Sequence, residues 1–370
     1  MLLALAVIHL YILATLVINV AYLRRTRAVG ASRGAAQPAL TVLVPARNEE
    51  ENLRRLVPSL LAQRYPDLEI LVYDDASEDG TARVVGSFAD PRLRLLHGEG
   101  PPPGWMGKVH ALAEASRGAK GDVLLFLDAD AELLRPDALE RLVARWHALP
   151  SPAVLTGLPR LTGGGLVIVS AIPYIFLSAG PVPLLKRIRW SAASVLNGQC
   201  WVIGRDVYER LQPHRAHPDA VVEDLAIGRF LARHGVRVVM HDLQDDLAVR
   251  MYGGLGEAWR GLRKNMYVAA GNTPLLAGPF LALYVLVYLV PPLLAPWFLL
   301  SLYAMKTVAD RGARQPLRVT LLAPLTFLAI AALVVDSAIA HWTGTARWKG
   351  RVVARRADRA PAAGSAGGAA

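Results

Sequence analysis

The sequence predicts an α/β fold, in which a Rossmann-like, mainly parallel and doubly wound sheet follows one transmembrane helix and precedes about two more. The unbroken apolar run Val123–Leu127 is typical of a central strand that is buried on both faces. Strand patterns alternate with helix patterns over residues 40–96, which favours parallel strands joined by crossover helices. Long apolar segments at both ends of the chain account for a hydrophobic content of 53%.

The amino-terminal segment Met1–Leu23 is almost wholly apolar and is long enough to cross a bilayer. Arg24, Arg25 and Arg27 follow it and no basic residue precedes it. This order predicts a transmembrane signal anchor (residues 1–23) whose amino terminus lies outside. Residues 24–39 are predicted to be a linker to a domain over residues 40–272.

The first two predicted strands of this domain end in polar residues. The strand Leu40–Val44 leads into Pro45, Arg47, Asn48 and Glu49. Asn48 is predicted to cap the following helix. The second strand ends at Asp74 and Asp75, and Asp75 either caps a helix or hydrogen-bonds a base or ribose. The glycine-rich motifs of nicotinamide and Walker-type sites are absent from the sequence.

Lys108 ends a loop rich in Pro and Gly and begins a predicted helix. It is either a surface lysine or a cation that meets an anion near the amino end of that helix.

Asp128 and Asp130 directly follow the strand Val123–Leu127, where ligands of open α/β sheets bind. Both carboxylates can face one small volume if the chain turns at Ala129, and two such close charges need a cation or hydrogen-bond donors. Oxygen ligands favour Mg²⁺ or Mn²⁺. The alternative is a solvated turn at the end of a strand.

Glu223 and Asp224 begin another predicted helix. They either complement the helix dipole, or one of them is a general base that takes a proton from an acceptor hydroxyl.

The apolar stretch Leu166–Leu185 tests the number of membrane spans. If it crossed the bilayer, it would separate Asp128 and Asp130 from Glu223 and Asp224. We therefore predict that it is interfacial or re-entrant.

Residues 253–270 are amphipathic and are predicted to form a second interfacial segment, with Arg260, Arg263 and Lys264 turned to headgroups or to a bound diphosphate. Residues 273–342 are predicted to hold two transmembrane helices, Leu275–Met305 and Leu317–Trp342. The latter carries a single acid, Asp336, and residues 343–370 form a basic tail that is predicted to be partly disordered. Three spans and an outside amino terminus predict a multi-pass protein of the cell membrane, with the central domain and the tail cytoplasmic.

The formal net charge of +11 is consistent with a nucleic-acid partner or with anionic headgroups. Much of this charge flanks apolar segments and the sequence lacks interleaved aromatic and basic residues, so membrane lipid is predicted and nucleic acid is not. A single cysteine, Cys200, excludes an intrachain disulfide and a cysteine-based metal cluster.

Together these residues resemble a membrane-bound family 2 glycosyltransferase of the GT-A type. The matching pieces are Val44–Glu50, Asp74–Thr81, Gly104–Ala111, Asp128–Asp130 and Glu223–Asp224, in family order. The late pieces Arg250–Tyr267 and Trp348–Arg351 look most like the subgroup that acts on carotenoid- or hopanoid-type lipids.

The resemblance implies a nucleotide-sugar donor, expected to be a UDP-sugar, and a lipid acceptor with a hydroxyl or carboxyl group. It implies that Asp75 binds the nucleotide base, while Pro45, Arg47, Glu49 and Lys108 help to line the nucleotide pocket. Asp128 would contact the ribose or the water shell of the metal, and Asp130 would coordinate Mg²⁺ or Mn²⁺. Asp224 would be the base in an inverting displacement, oriented by Glu223.

One departure from the family pattern favours transfer of a single sugar. Processive polysaccharide synthases carry Gln-x-x-Arg-Trp after the base, and this sequence has no such string; Arg250, Trp259 and Arg260 are the candidates to replace it. The alternatives to a lipid glycosyltransferase are a polysaccharide synthase and a membrane-tethered sugar-nucleotide sensor without turnover.

Overall fold

The computed structural model describes residues 1–27, 37–187, 194–345, 347–348 and 351–352. Residues 28–36 of the predicted linker and most of the predicted tail (343–370) lie outside the described residues, so both assignments stay predictions. The start of the predicted linker is helical, because the amino-terminal helix continues to Arg27.

The strands of the described chain form one large sheet and two small ones. In chain order they are β1 (Leu40–Ala46), β2 (Leu68–Asp75), β3 (Leu93–Gly98), β4 (Val123–Leu127), β5 (Ala131–Leu133), β6 (Ala153–Leu158), β7 (Arg160–Gly163), β8 (Cys200–Gly204), β9 (Arg237–Asp242), β10 (Leu247–Tyr252), β11 (Arg347–Trp348) and β12 (Arg351–Val352). The large sheet has the order β3-β2-β1-β4-β8-β6-β9. Its neighbours are parallel except that β8 is antiparallel to both β4 and β6. The predicted mainly parallel sheet is therefore confirmed.

The helices fall into those of the sheet domain and those of the apolar segments. The domain contains α2 (Glu50–Leu61), α3 (Thr81–Gly86), α4 (Gly107–Arg117), α5 (Ala138–His147), α9 (Arg205–Leu211), α10 (Pro213–Ala216) and α11 (Glu223–Arg233). The apolar and amphipathic segments form α1 (Leu2–Arg27), α6 (Leu166–Val169), α7 (Ala171–Ser178), α8 (Val182–Arg187), α12 (Leu255–Arg263), α13 (Met266–Ala269), α14 (Pro274–Tyr284), the π-helical turn Val285–Leu289, α15 (Val290–Leu294), α16 (Phe298–Gly312), α17 (Leu317–Leu321) and α18 (Ala323–Trp342).

Helices cover both faces of the large sheet, which makes it doubly wound as predicted. On β1, Val42 and Val44 belong to a core cluster with α2, α3 and α5, whereas Leu43 belongs to the opposite cluster with α4, α9 and α11. On β4, Leu125 and Phe126 divide between the same two clusters, and all five residues of the strand are buried. A strand without polar alternation is stable here because neither of its faces meets water.

The prediction that Asn48 caps α2 is wrong. Asn48 has a left-handed backbone conformation (φ 52°), and the N-cap position belongs to Glu49 without a capping side chain. The Asn48 backbone N–H donates to the Ser77 hydroxyl at 2.9 Å, and its side-chain oxygen accepts from the Glu78 N–H at 2.9 Å. Asn48 therefore joins the two loops that follow β1 and β2, a role for which Asn suits because it tolerates positive φ.

Three described helices are long and apolar enough to cross a membrane, namely Leu2–Arg27, Pro274–Leu294 and Ala323–Trp342. They agree with one predicted span at the amino end and about two at the carboxyl end. The predicted extent Leu275–Met305 is wrong, because the helix stops at Leu294 and α16 begins at Phe298. Ala295 takes an extended conformation (φ −150°, ψ 107°) that interrupts the helix.

The apolar stretch 166–185 forms parts of three short helices, α6, α7 and α8. The buried Asn19 of α1 holds this stretch: its amide donates to the backbone oxygens of Leu177 (2.7 Å) and Gly180 (2.8 Å), and its side-chain oxygen accepts from the Val182 N–H (2.8 Å). These bonds satisfy a buried polar side chain with backbone groups at the break between α7 and α8. The interfacial or re-entrant placement of 166–185 stays a prediction.

A buried ion-pair cluster joins α5 to the loop between β9 and β10. Asp246 pairs with Arg145 at 2.8 Å and with Arg141 at 2.6 Å, and the Arg145 and Asp246 side chains are fully buried. We expect Asp246→Ala to lower the free energy of unfolding by about 3–5 kcal/mol, because it removes the carboxylate that pairs with the buried charge of Arg145.

Thermal unfolding of the purified protein in detergent measures this loss. The matched control is Asp137→Ala, which removes a pair with Arg135 whose side chains are 38% and 48% exposed and should cost at most about 1 kcal/mol. Equal shifts in the two variants would contradict the structural role of Asp246.

Candidate active site

A cavity of about 400 Å³ opens at the carboxyl ends of β1, β2 and β4. All nine site residues predicted from the sequence line it, namely Pro45, Arg47, Glu49, Asp75, Lys108, Asp128, Asp130, Glu223 and Asp224. They come from the ends of parallel strands and from the first turns of α4 and α11. Because the carboxyl ends of parallel strands meet at one edge of a sheet, segments that are distant in sequence reach the same cavity.

Arg47 joins the two loops that hold Asp75. Its guanidinium donates to the backbone oxygens of Asp75 (2.8 Å) and Ala76 (2.7 Å), and it pairs with Glu78 at 3.1 Å. Ala76 has φ 57°, so the chain reverses sharply directly after the strand. This turn leaves the Asp75 side chain on the cavity wall and only 3% exposed.

The turn after β4 places Asp128 and Asp130 on the same cavity. The Ala131 N–H donates to the Asp128 backbone oxygen at 3.1 Å, which closes a tight turn over Ala129. The Asp128 N–H donates to the Gln199 backbone oxygen, also at 3.1 Å, and so joins the turn to the segment before β8. The arrangement expected from the spacing of the two acids is therefore present.

Lys108 bridges two of the acids. Its ammonium lies 2.6 Å from an Asp128 carboxylate oxygen and 3.0 Å from a Glu223 carboxylate oxygen. Burial alone would lower the pKa of Lys108, but the charges of Asp128 and Glu223 together raise it above its ordinary value. Burial raises the pKa of Asp128 in spite of this contact. Burial is also the largest influence on Glu223, but the charge and hydrogen bond of Lys108, a backbone hydrogen bond and the charge of Lys264 together outweigh it and lower the pKa.

Asp224 lies at the start of α11, and backbone donors fix its carboxylate. One oxygen accepts from the Leu225 N–H at 2.8 Å and the other from the Gly198 N–H at 3.3 Å. Burial and the neighbouring charge of Glu223 raise the pKa of Asp224 to about 6. A carboxylate with that pKa is a stronger base than an ordinary aspartate and is still ionised near pH 7.

Further polar residues that line the cavity were not predicted as site residues. They are Trp105, Asn197, Gln199 and Asn265, whereas Lys264, which also lines the cavity, is one of the three bases predicted to face headgroups or a bound diphosphate. By contrast, Arg250, Trp259 and Arg260, the candidates to replace the Gln-x-x-Arg-Trp string, do not line it. Residues 253–270 contain a break between α12 and α13, and Lys264 and Asn265 stand at this break. Sequence periodicity gave no sign of it.

One wall of the cavity is apolar. The apolar lining residues include Ile172 and Phe176 of α7, together with Val221, Met251 and Leu262. The helix α7 packs against α1 through a cluster that includes Tyr174, Leu177 and Leu16. The apolar wall is therefore continuous with the helices that are predicted to lie in the membrane.

The arrangement of strands and helices matches a solved structure, the mannosyltransferase PcManGT from Pyrobaculum calidifontis in complex with GDP-Man and Mn²⁺. The TM-score is 0.52 at 23% sequence identity, over 92% of this chain and 98% of that chain. The chain therefore has the GT-A fold, with candidate membrane helices on both sides of the sheet domain.

Residues 41–212, just under half of the chain, match the family model for glycosyl transferase family 2. A relative, the 4,4'-diaponeurosporenoate glycosyltransferase of Staphylococcus aureus (strain USA300), is 26% identical over 241 residues. The match covers 64% of this chain and 62% of the relative. The resemblance predicted from the motifs is confirmed.

Proposed function

We propose that this protein transfers a single sugar from a nucleotide-sugar donor to a hydroxyl or carboxyl group of a lipid, with inversion at the anomeric carbon. The observation that carries the proposal is the composition of one cavity. Asp75, Asp128 and Asp130 line it on the side of the strand ends, and Glu223 and Asp224 line it at the start of α11. The acids that would bind the donor and the candidate base thus line the same cavity, within reach of one bound donor and one bound acceptor.

The apolar wall of the cavity supports a lipid acceptor. Ile172 and Phe176 lie on α7, beside the helix α1 that is predicted to anchor the chain in the membrane. An acceptor in the bilayer can reach the cavity along this wall without exposing its apolar chain to water. The Staphylococcus aureus relative is named for a 4,4'-diaponeurosporenoate acceptor, which agrees with this class.

The donor side fits a divalent cation. Asp128 and Asp130 offer two hard oxygen ligands. Because no group of three or more His, Cys, Asp or Glu suited to a metal occurs among the described residues, water and substrate would have to supply the other ligands. Such a site suits Mg²⁺ or Mn²⁺, which keep several waters and bind substrate phosphates. Asp130 would bind the ion directly, and Asp128 would bind either the ion or a water molecule of its hydration shell. When bound, the ion would neutralise charge on the diphosphate.

In the proposed mechanism the acceptor oxygen attacks the anomeric carbon while the bond from that carbon to the phosphate oxygen breaks. Asp224 takes the proton from an acceptor hydroxyl. The Leu225 and Gly198 N–H groups hold its carboxylate in place, and the neighbouring charge of Glu223 makes it a stronger base. Lys108 stabilises the negative charge that the departing diphosphate carries away. Asp75 contacts the base, with Pro45, Arg47 and Glu49 completing the nucleotide pocket.

We place the sheet domain on the cytoplasmic side of the cell membrane. Arg24, Arg25 and Arg27 stand at the end of α1 next to the domain, and basic residues flank the cytoplasmic side of membrane helices. Nucleotide sugars reach a site on that side directly. A UDP-sugar is the expected donor.

The experiment uses membranes from cells that express the protein, a panel of radiolabelled sugar nucleotides, and added Mg²⁺ or Mn²⁺. We expect one donor to leave radiolabel in the organic extract, and to do so only when the metal is added. Label in a water-soluble polymer would indicate a polysaccharide synthase. Binding of a donor with no transfer to any lipid extract would indicate a sensor, and either result would contradict the proposed function.

The pH dependence of transfer to a hydroxyl acceptor follows from the raised pKa of Asp224. The base must be ionised, so we expect the turnover number to fall as the pH drops through about 6 and Asp224 gains a proton. Initial rates at saturating donor and acceptor, measured from about pH 5 to about pH 8, test this. A rate that stays constant over this range would contradict the assignment of Asp224 as the base.

A further inference from the structure

The cavity carries more acid than base. Six acids line it, namely Glu49, Asp75, Asp128, Asp130, Glu223 and Asp224, and the cations among its described lining residues are Arg47, Lys108 and Lys264. Six negative and three positive charges leave a formal charge of −3. A diphosphate adds further negative charge, so each cation that can reach it matters for binding and for departure.

Arg47 and Lys108 hold parts of the cavity wall together. Arg47 bonds the loop after β2, and Lys108 bridges Asp128 and Glu223. Lys264 is the third, on the turn between α12 and α13, and its positive charge acts on both Asp128 and Glu223. Lys264 thus lines the same cavity as these two acids and belongs to a different segment of the chain.

The segment around Lys264 is held by α18 at three points. The Trp259 indole N–H donates to one oxygen of Asp336 at 2.8 Å, and the Arg263 guanidinium pairs with the other oxygen at 3.0 Å. The Tyr267 backbone N–H donates to the Ser337 hydroxyl at 2.9 Å. Trp259 and Arg263 belong to α12 and Tyr267 belongs to α13, so α18 holds the segment on both sides of Lys264.

Asp336 is the single acid in the apolar helix α18. An ionisable residue in such a helix is costly and generally has a functional partner. Both of its oxygens are used by α12, and the side chains of Asp336 and Arg263 are about one-third exposed, at 32% and 31%. The position of Asp336 thus fixes the end of α12, directly before Lys264.

We propose that Lys264 binds the diphosphate of the donor and that Asp336 is a positioning residue that holds Lys264 in the cavity. The proposal rests on the proposed function for its substrate. It gives α18, the last of the three long apolar helices, a role in the active site, because the position of α18 determines the position of a substrate-binding cation. It also places a diphosphate-binding cation after the base, where processive polysaccharide synthases carry the Gln-x-x-Arg-Trp string.

The test is a double-mutant cycle on the full chain, purified in detergent with lipid. Lys264→Met is expected to lower kcat by about 100-fold, as loss of one group that stabilises developing charge does. Lys264→Arg, which keeps the charge, should recover part of this loss. Asp336→Ala should lower kcat by about tenfold to hundredfold through misplacement of Lys264. The double variant should be no slower than Lys264→Met alone, because the two residues act in one chain of contacts.

The matched control for Asp336 is Asp245→Ala. Asp245 pairs with Arg314 at 2.6 Å with a similar exposure, 38% and 30%, but does not line the cavity. It is expected to leave kcat unchanged. If Asp336→Ala slows the Lys264→Met variant by the same factor as it slows the wild type, the two residues act independently and the positioning role is wrong.

Binding of UDP or GDP with Mn²⁺ provides a second readout that needs no acceptor. We expect Lys264→Met and Asp336→Ala both to weaken it, and the double variant to bind no more weakly than Lys264→Met. A wild type that binds but does not transfer would contradict the proposed function and leave this inference standing. Unchanged nucleotide binding and kcat in Lys264→Met would overturn the inference while the proposed function stands.

Discussion

Asp224→Asn is expected to transfer sugar to a hydroxyl acceptor about 100- to 10,000-fold more slowly than the wild type, the range typical of losing a general base. The amide keeps the shape of the carboxylate, and its oxygen can still accept a bond from the Leu225 or Gly198 N–H. It cannot take a proton from the acceptor. Because Asp224 is not expected to contact the nucleotide, donor affinity should stay near that of the wild type.

Asp206→Asn is the matched control for this variant. Asp206 also lies in the first turn of a helix, α9, but it is exposed and does not line the cavity. If Asp224 only complemented the dipole of its helix, each variant would lose little stability, and the two variants would transfer sugar at similar rates. Equal turnover in Asp224→Asn and Asp206→Asn would therefore contradict the role of Asp224 as base.

Asp130→Asn is expected to abolish the dependence of donor binding on Mg²⁺ or Mn²⁺. Residues that only orient metal ligands already change metal affinity by about 10- to 100-fold, so loss of a ligand should cost at least about 100-fold. Isothermal titration of a UDP-sugar, with and without Mn²⁺, measures the loss. The turnover number at ordinary metal concentration should fall with it.

Asp122→Asn controls for this change, because Asp122 stands at the opposite end of the same strand and pairs weakly with Arg205 at 3.8 Å. Donor binding by Asp122→Asn should depend on Mg²⁺ or Mn²⁺ to the same extent as donor binding by the wild type. Metal-dependent binding that survives in Asp130→Asn would remove Asp130 from the metal site and leave Asp128 to be tested alone.

The part of the site that the sequence predicted is the part that strand ends determine. Asp128 and Asp130 follow a five-residue apolar strand, and Asp75 is the last residue of another parallel strand of the same sheet. Parallel strands carry their carboxyl ends to one edge, so local patterns were enough to bring these acids together. Glu223 and Asp224 come from α11, and their arrival at the same edge was expected from the family resemblance.

The features that were not predicted depend on contacts between distant segments. The break that exposes Lys264 to the cavity is held by Asp336 and Ser337, about seventy residues later in the chain. Hydrophobic periodicity reports which side of a helix is buried, but not where a distant partner interrupts the helix. For the same reason the apolar pattern predicts one span over Leu275–Met305, where one helix ends at Leu294 and another begins at Phe298.

The order of the strands after β4 was also beyond the sequence pattern. The strand β8 enters between β4 and β6 and is antiparallel to both, which a simple alternation of strands and helices does not predict. This insertion matters for the site, because the segment before β8 carries Asn197 and Gln199 to the cavity.

The mass of the lipid product tests the central claim most directly. Membranes that contain the protein are supplied with the active donor and metal, and the organic extract is analysed by mass spectrometry. One lipid that gains the mass of a single sugar, absent when Asp224→Asn replaces the wild type, is the predicted result. A ladder of added sugars, or donor consumption with no change in any lipid, would contradict transfer of one sugar to a lipid.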